Sequence, residues 1–136
     1  MEIINLAVSW ALFGLIWIVQ LVQYPAFFHV SDANFEAFHQ HHTASITIIV
    51  MPLMLIEIAL VAYLTYQNNS IIYCIPLLLV ILIWLSTFLI QVPIHHQLGE
   101  GKEVAIIKKL VQTNWIRTIL WTFKALWVSY YFTKFS

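Results

Sequence analysis

The sequence has 136 residues and a formal net charge of zero; 62% of the residues are hydrophobic and 9% are charged. Soluble domains are about 45–50% apolar and about 25% charged, so this composition excludes an ordinary soluble domain and predicts an integral membrane protein. The balanced charge offers no basic surface for a nucleic acid. Cys74 is the single cysteine, which excludes a disulfide within the chain and a dithiol redox mechanism.

Four stretches of the chain are predicted to cross a membrane. A spanning helix needs about 20 mostly apolar residues. The stretches that meet this length are residues 3–24, 45–66, 71–91 and 114–132. Little sequence remains outside them. We therefore expect a single domain over residues 1–136, an all-α integral membrane four-helix bundle.

Local signals predict the boundaries of the first two helices. The first span exceeds the roughly 7–15 apolar residues of a signal peptide and has no basic residue before it, so we expect a retained helix. Pro25 is expected to end this helix. Ser31 and Asp32 can cap a new helix, and no strong breaker follows before Pro52. The second helix is therefore predicted to run from about Ala33 into the second span without a gap.

The orientation in the membrane is predicted from the lysines. Four spans place the loops 25–44 and 92–113 on the same side. The lysines of that side are Lys102, Lys108 and Lys109, whereas the opposite side carries only Lys134. By the positive-inside rule, both long loops are predicted to lie in the cytoplasm and both termini outside.

The two halves of the chain resemble each other at an offset of 68 positions. The matching residues are Leu21, Gln23 and Pro25 with Leu89, Gln91 and Pro93, and Asp32 falls opposite Glu100. Two interpretations remain open: chance similarity among apolar helices, and duplication of a helical hairpin. A duplication would place a binding site at the interface between the halves.

All the histidines lie in or beside the two same-side loops. They are His29, His39, His41, His42, His95 and His96. Helical spacing places His39 and His42 on one face, while His95 continues a stripe from Thr87 and Gln91. Because neutral imidazole is the commonest protein metal ligand, we predict a metal ion or haem bound by His39, His42 and His95, with His96 as a further metal ligand. The alternatives are handling of protons or substrate, and a plain interfacial location.

Three charges fall inside the predicted spans: Glu57, Arg117 and Lys124. Each costs on the order of 2.5–3.5 kcal/mol at a helix centre, so Glu57 is expected to pair with Lys124 or with Arg117. One interpretation is a structural ion pair that fixes the helix register. The other is a catalytic cavity in which Glu57 relays protons and Arg117 binds an anionic or quinonoid oxygen. Asn114, three residues before Arg117, is expected to face the same cavity.

Two segments resemble a family of small four-span membrane proteins that includes the fungal anthrone oxygenases. They are Gln-Val-Pro-Ile-His at 91–95 and Asn-Trp-Ile-Arg-Thr at 114–118, which opens the last span. The resemblance implies a membrane oxidase or oxygenase that acts on a flat, hydrophobic, often phenolic molecule. It carries over to Asn114 and Arg117, and less closely to His95.

These observations predict a membrane-embedded oxidoreductase or oxygenase. Its metal or haem centre would lie near one membrane face, and its small phenolic or quinonoid substrate would come from the lipid bilayer. One alternative is a small proton-coupled transporter or channel subunit that uses Glu57 and Lys124, for which a homo-oligomer is the expected assembly. Another is an accessory membrane subunit without chemistry. No nucleic-acid partner is expected.

Overall fold

Four long helical stretches make up the computed structural model, which describes residues 1–135. The stretches are Glu2–His29, Asp32–Asn68, Ile71–Leu98 and Val104–Phe135. The predicted all-α helical bundle is confirmed for this part of the chain. The first three stretches are long and apolar enough to cross a membrane.

The sequence predicted that the first stretch ends at Pro25, but in the structure it continues to His29. It consists of α1 (Glu2–Ile18), a π-helical segment (Val19–Gln23), the short α2 (Tyr24–Ala26) and a 3₁₀ turn (Phe27–His29). A proline ring clashes with the carbonyl four residues earlier and lacks a donor. The π-helical segment changes the hydrogen-bond register just before Pro25, and the chain continues as a helix with the proline in the first turn of α2.

The third stretch repeats this construction. It consists of α4 (Ile71–Ser86), a π-helical segment (Thr87–Gln91) and α5 (Val92–Leu98), again with a proline in the first turn. The two π-helical segments have the same length and begin 68 positions apart, at Val19 and Thr87. The offset that relates the two halves of the sequence therefore also relates their backbones.

The second stretch is the single helix α3 (Asp32–Asn68), with Pro52 inside it. This confirms that the helix runs into the predicted second span without a gap. At about 1.5 Å per residue, its 37 residues exceed the roughly 30 Å apolar core of a bilayer. The last helix, α6 (Val104–Phe135), has 32 residues and carries more positive charge than the others.

The helices form a ring in which α1 and α4 each contact both α3 and α6. At one end of the bundle, Trp127 donates to the carbonyl of Ile72 and Tyr73 donates to Glu2. At the other end, Lys102 donates to the carbonyl of Phe28. Residues 25–44 and 92–113, which the sequence predicted as loops, are largely helical, with breaks at 30–31 and 99–103. These two long connections share one end, as an up-and-down order of four helices requires.

The bundle buries an apolar core and also exposes a large apolar surface. Leu12, Phe27 and Leu98 lie fully buried in the core. On the outside, Ile48 is 75% exposed and Leu89 is 71% exposed, among many other large apolar side chains. An exposed apolar surface on helices of this length is consistent with a membrane protein.

Candidate functional site

A cavity of about 270 Å³ lies inside the bundle, toward the end that holds the two long connections. Its walls are mainly apolar and include Leu15, Ile46 and Met54. Its polar lining includes Tyr24, His95, Arg117, Gln91 and Thr87. Cavities that bind small molecules combine apolar walls with a few convergent polar groups in this way. We take this cavity as the candidate site.

The guanidinium of Arg117 is the only cationic side chain that lines the cavity. Its Nε and Nη2 donate to Oδ1 of Asn114 at 2.9 and 2.6 Å, and Nη2 also donates to the Tyr24 hydroxyl at 3.0 Å. Nη1 has only a long contact of 3.5 Å to Thr87. Arg117 is 7% exposed, yet no carboxylate within residues 1–135 forms an ion pair with it. The cavity therefore contains a buried positive charge whose protein partners are neutral.

Gln20 fixes the orientation of the Asn114 side chain that bonds to Arg117. Oε1 of Gln20 accepts from Asn114 at 2.8 Å and from Thr118 at 3.0 Å, and its Nε2 donates to the carbonyl of Val111. Gln20 lies in the first π-helical segment and is fully buried. The predicted pair Asn114 and Arg117 is thus brought together beside the cavity, and Gln20 of the neighbouring first helical stretch orients it.

A chain of hydrogen bonds runs from Arg117 to the outer end of the site. The Tyr24 hydroxyl lies 3.0 Å from Nε2 of His95, and Nδ1 of His95 lies 3.0 Å from Nε2 of His39. Arginine can only donate, so the Tyr24 oxygen accepts from Arg117. Which atom donates in the Tyr24–His95 and His95–His39 bonds depends on the tautomer of each histidine.

The outer end of the chain is His39, which is itself buried but lines a surface groove. This groove of about 520 Å³ is lined by both His39 and His95, together with Glu36 and Glu100. The groove lies beside the two long connections, which carry most of the polar residues of this end. The bonds among Tyr24, His95 and His39 therefore link this groove to the cavity.

His42 lies beside this chain of hydrogen bonds but is not part of it. Its ring centroid is 6.0 Å from that of Tyr24 and 6.1 Å from that of His95, and the residue is 7% exposed. Among residues 1–135, no protein group is hydrogen-bonded to the His42 ring. His41 and His96 are exposed, and neither joins the cluster.

The predicted set of metal ligands does not fit a metal centre in this arrangement. His39, His42 and His95 do converge, as their spacing predicted. However, the facing nitrogens of His39 and His95 bond to each other, and His96 points to the surface. Within the described 135 residues, no three His, Cys, Asp or Glu side chains are placed so that they could hold a metal ion. The cluster instead has the arrangement of a hydrogen-bonded relay.

Glu57 and Lys124 form the buried ion pair that the sequence predicted, with Nζ 2.8 Å from Oε1 and both side chains fully buried. Lys124 also donates to Ser9 and Asn5, and the Glu57 carboxylate accepts from Trp121. The alternative pairing of Glu57 with Arg117 does not occur. Glu57 does not line the cavity, because Trp121 lies between the pair and the cavity wall.

The sequence reasoning missed Tyr24, Gln20 and the role of Thr87. A signal existed for Gln20, since an uncharged polar side chain in the middle of an apolar span must find partners inside the bundle. Tyr24 gave a weaker signal, because a tyrosine next to a proline at a helix end is usually read as interfacial packing.

The fold and the site define a class of protein: an all-α bundle with an apolar cavity, a buried guanidinium and a histidine relay to one end. No family model matches the chain, and no curated protein and no solved structure is significantly similar to it. The function is therefore argued from the geometry of the site.

Proposed function

We propose that the chain is a membrane-embedded oxidoreductase of the oxygenase type. It binds a flat hydrophobic phenol or enol through an oxygen atom at Arg117, it removes a proton through Tyr24, His95 and His39, and it forms the corresponding quinone. The observation that carries this proposal is the buried guanidinium of Arg117 at the polar end of an apolar cavity, with only neutral protein partners.

Charge and donor geometry support an oxygen-bearing ligand at Arg117. A buried cation without a counter-charge is costly, and the cost falls when an anionic or strongly accepting oxygen arrives. Nη1 is the nitrogen that is available to donate to such an oxygen, because its contact to Thr87 at 3.5 Å is long for a hydrogen bond. An oxygen that gains negative charge during the reaction would be stabilised more strongly than the neutral form.

The hydrogen-bonded residues Tyr24, His95 and His39 form the relay that accepts the proton removed from the substrate. A proton that leaves the substrate passes to the Tyr24 oxygen while Tyr24 gives its own proton to Nε2 of His95. The proton on Nδ1 of His95 moves to Nε2 of His39 and from there to the surface groove. The two ring nitrogens of an imidazole allow it to accept on one side and donate on the other.

The resemblance to a family that includes the fungal anthrone oxygenases supports the oxidising half of the proposal. Removal of a proton from a ring CH₂ group that lies across the ring from a carbonyl, and is conjugated with it, gives an anion whose charge is shared with the oxygen at Arg117. Dioxygen is the oxidant: the CH₂ group and one O₂ become a carbonyl group and one water. Neither a metal nor a haem has a step in this scheme.

We place the bundle across a bilayer with the relay end in the cytoplasm. The apolar stretches and the exposed apolar surface support the embedding, and the lysine distribution supports the orientation.

We also propose that the two hairpins arose by duplication. The matching π-helical segments and the shared proline position support this origin.

The proposal is tested with the purified protein in lipid nanodiscs. Anthrone is added in air-saturated buffer, and formation of anthraquinone is followed by absorbance together with consumption of O₂. We expect one O₂ per anthraquinone formed, loss of the reaction in Arg117→Gln, and full activity in the control Lys109→Gln, whose lysine is exposed. If the wild-type chain neither binds anthrone nor oxidises it, the proposal is wrong.

One observation favours a second candidate, proton-coupled transport. Polar groups continue beyond the cavity toward the opposite end, from Glu57 and Lys124 through Asn5 to Tyr131. Proteoliposomes that contain a pH-sensitive dye distinguish the two functions. Proton flux that depends on Lys124 and occurs without anthrone oxidation would favour transport.

A further inference from the structure

A second, larger space adjoins the cavity on the outer surface of the bundle. It is a groove of about 770 Å³ between α1 and α3. Leu15, Val19 and Ile46 line both the groove and the cavity, so the two spaces adjoin at these three side chains. The cavity alone is near the lower limit of the roughly 300–1,000 Å³ found for ligand pockets. A ligand larger than one small ring system must therefore extend beyond the cavity.

Gly14 lies in the floor of this groove on α1. A Cβ atom built at Gly14 meets no atom within 4 Å, so the glycine is not required for close helix packing. Glycine weakens a helix relative to alanine, and no local turn requires it here. Its visible effect is to leave open space between α1 and α3 at the centre of the groove.

His42 lines the same groove at its end nearest the relay. The residue is more than nine-tenths buried, and within the described residues its ring has ring contacts but no hydrogen-bond partner. Neither ring nitrogen is fully enclosed by protein; among the described residues, the fully enclosed side-chain polar atom without a partner is Nε1 of Trp84. A neutral imidazole offers one donor and one acceptor, so a ligand oxygen in the groove can form a hydrogen bond with the His42 ring.

We propose that this groove is the second half of the substrate site. It takes a substrate that has an oxygen atom at one edge of its ring system, the reacting CH₂ group at the opposite edge and an apolar chain. The chain-bearing quinone that forms has an oxygen atom at both edges. One oxygen lies at Arg117, the other is hydrogen-bonded by His42, and the chain lies along Gly14 in the groove. The open side of the groove faces lipid, so the ligand reaches the site from the bilayer. This inference rests on the proposed function and names its substrate class.

Two benzoquinone probes test it: duroquinone, which has no chain, and decylubiquinone, which has a ten-carbon chain. Binding to nanodisc-embedded protein is measured by quenching of tryptophan fluorescence. We expect Gly14→Phe to weaken decylubiquinone binding at least tenfold and to leave duroquinone binding unchanged. Gly14→Ala, which adds one carbon only, should bind both probes like the wild type. Unchanged duroquinone binding also shows that Gly14→Phe is folded.

A second variant tests the contact with His42. His42→Phe keeps the ring shape and should weaken both probes by about the same factor, whereas His29→Phe, at an exposed position, should weaken neither. If Gly14→Phe binds decylubiquinone like the wild type while Arg117→Gln still abolishes binding of both probes, the groove holds lipid only. The inference is then wrong and the proposed function stands. If the wild type binds neither probe, or if Arg117→Gln binds both as the wild type does, the proposed function fails as well.

Discussion

His39 and His95 are 56 positions apart in the sequence, and Nε2 of His39 lies 3.0 Å from Nδ1 of His95. This bond joins the start of α3 to α5 and links the surface groove to the Tyr24 hydroxyl. A histidine pair in this position can pass a proton without a change in the backbone. It is the outer half of the path on which the proposed chemistry depends.

The Tyr24 hydroxyl is the inner half of that path, so its removal should separate binding from turnover. Tyr24→Phe keeps the ring contacts and leaves Arg117 bonded to Asn114, and we expect ligand affinity to change by no more than about threefold, less than 1 kcal/mol. Turnover should fall about 100-fold or more, because proton transfer by a positioned group contributes roughly 10²–10⁴-fold. Parallel titrations and initial rates check this. An equal loss of affinity and rate would mean that Tyr24 only positions Arg117.

The Glu57–Lys124 pair should behave as a structural unit. Glu57→Leu alone leaves Lys124 buried without a counter-charge, and we expect a loss of about 3–5 kcal/mol in the free energy of unfolding. Glu57→Leu with Lys124→Met should recover part of this loss, whereas Glu57→Leu with Arg117→Met should be additive, because the structure shows no bond between those two groups. Denaturant unfolding in mixed micelles measures all the variants. Strong coupling of Glu57 to Arg117 would contradict the observed pairing.

Lys102 connects the two long connections at the relay end. Its Nζ donates to the carbonyls of Phe28 and Val30 at 3.1 and 2.6 Å. Hydrogen bonds to a charged group are worth about 1.5–3 kcal/mol, so Lys102→Met should speed amide exchange over residues 27–31 at least tenfold. Lys108→Met, at an exposed lysine, is the matched control. Unchanged exchange in Lys102→Met would show that the connections are held by other contacts.

The architecture was largely predictable because long apolar segments and helix caps are local signals. The continuous helix α3 followed from the absence of a breaker. The cost of a buried charge predicted a cationic partner for Glu57 but left Lys124 and Arg117 both open, and the structure shows Lys124. The passage of the helix through Pro25 did not follow, since the π-helical register before it has no simple sequence signal. The 68-residue offset that was visible in the sequence did mark where this register recurs.

The site was predictable only in part. Arg117 was identified because a charged residue inside an apolar span is a candidate functional residue, and Asn114 because it lies three positions earlier on the same helix. The histidine cluster was found from helical spacing, but its hydrogen bonds favour a relay where the sequence suggested a metal centre. Tyr24 and Gln20 were missed, because their partners Arg117 and Asn114 lie 93 and 94 positions away. Contacts at that separation depend on how the helices pack.

The orientation of the bundle can be tested with single cysteines in a Cys74→Ser background. A membrane-impermeant maleimide added to intact cells should label Ser70→Cys and should not label Lys102→Cys, since positively charged loops remain in the cytoplasm. Labelling after permeabilisation is the control for accessibility of Lys102→Cys. Labelling of Lys102→Cys in intact cells would reverse the orientation and leave the relay facing outward.

The central claim is that the Arg117 guanidinium binds a ligand oxygen inside the cavity. The direct measurement is a titration with menadione, a flat quinone without a chain, followed by quenching of tryptophan fluorescence, since Trp121 lines the cavity. We predict that Arg117→Gln weakens binding by about 30- to 150-fold, which corresponds to about 2–3 kcal/mol for a charge-assisted hydrogen bond. Lys109→Gln should bind like the wild type. Equal affinity of menadione for Arg117→Gln and the wild type would contradict the account.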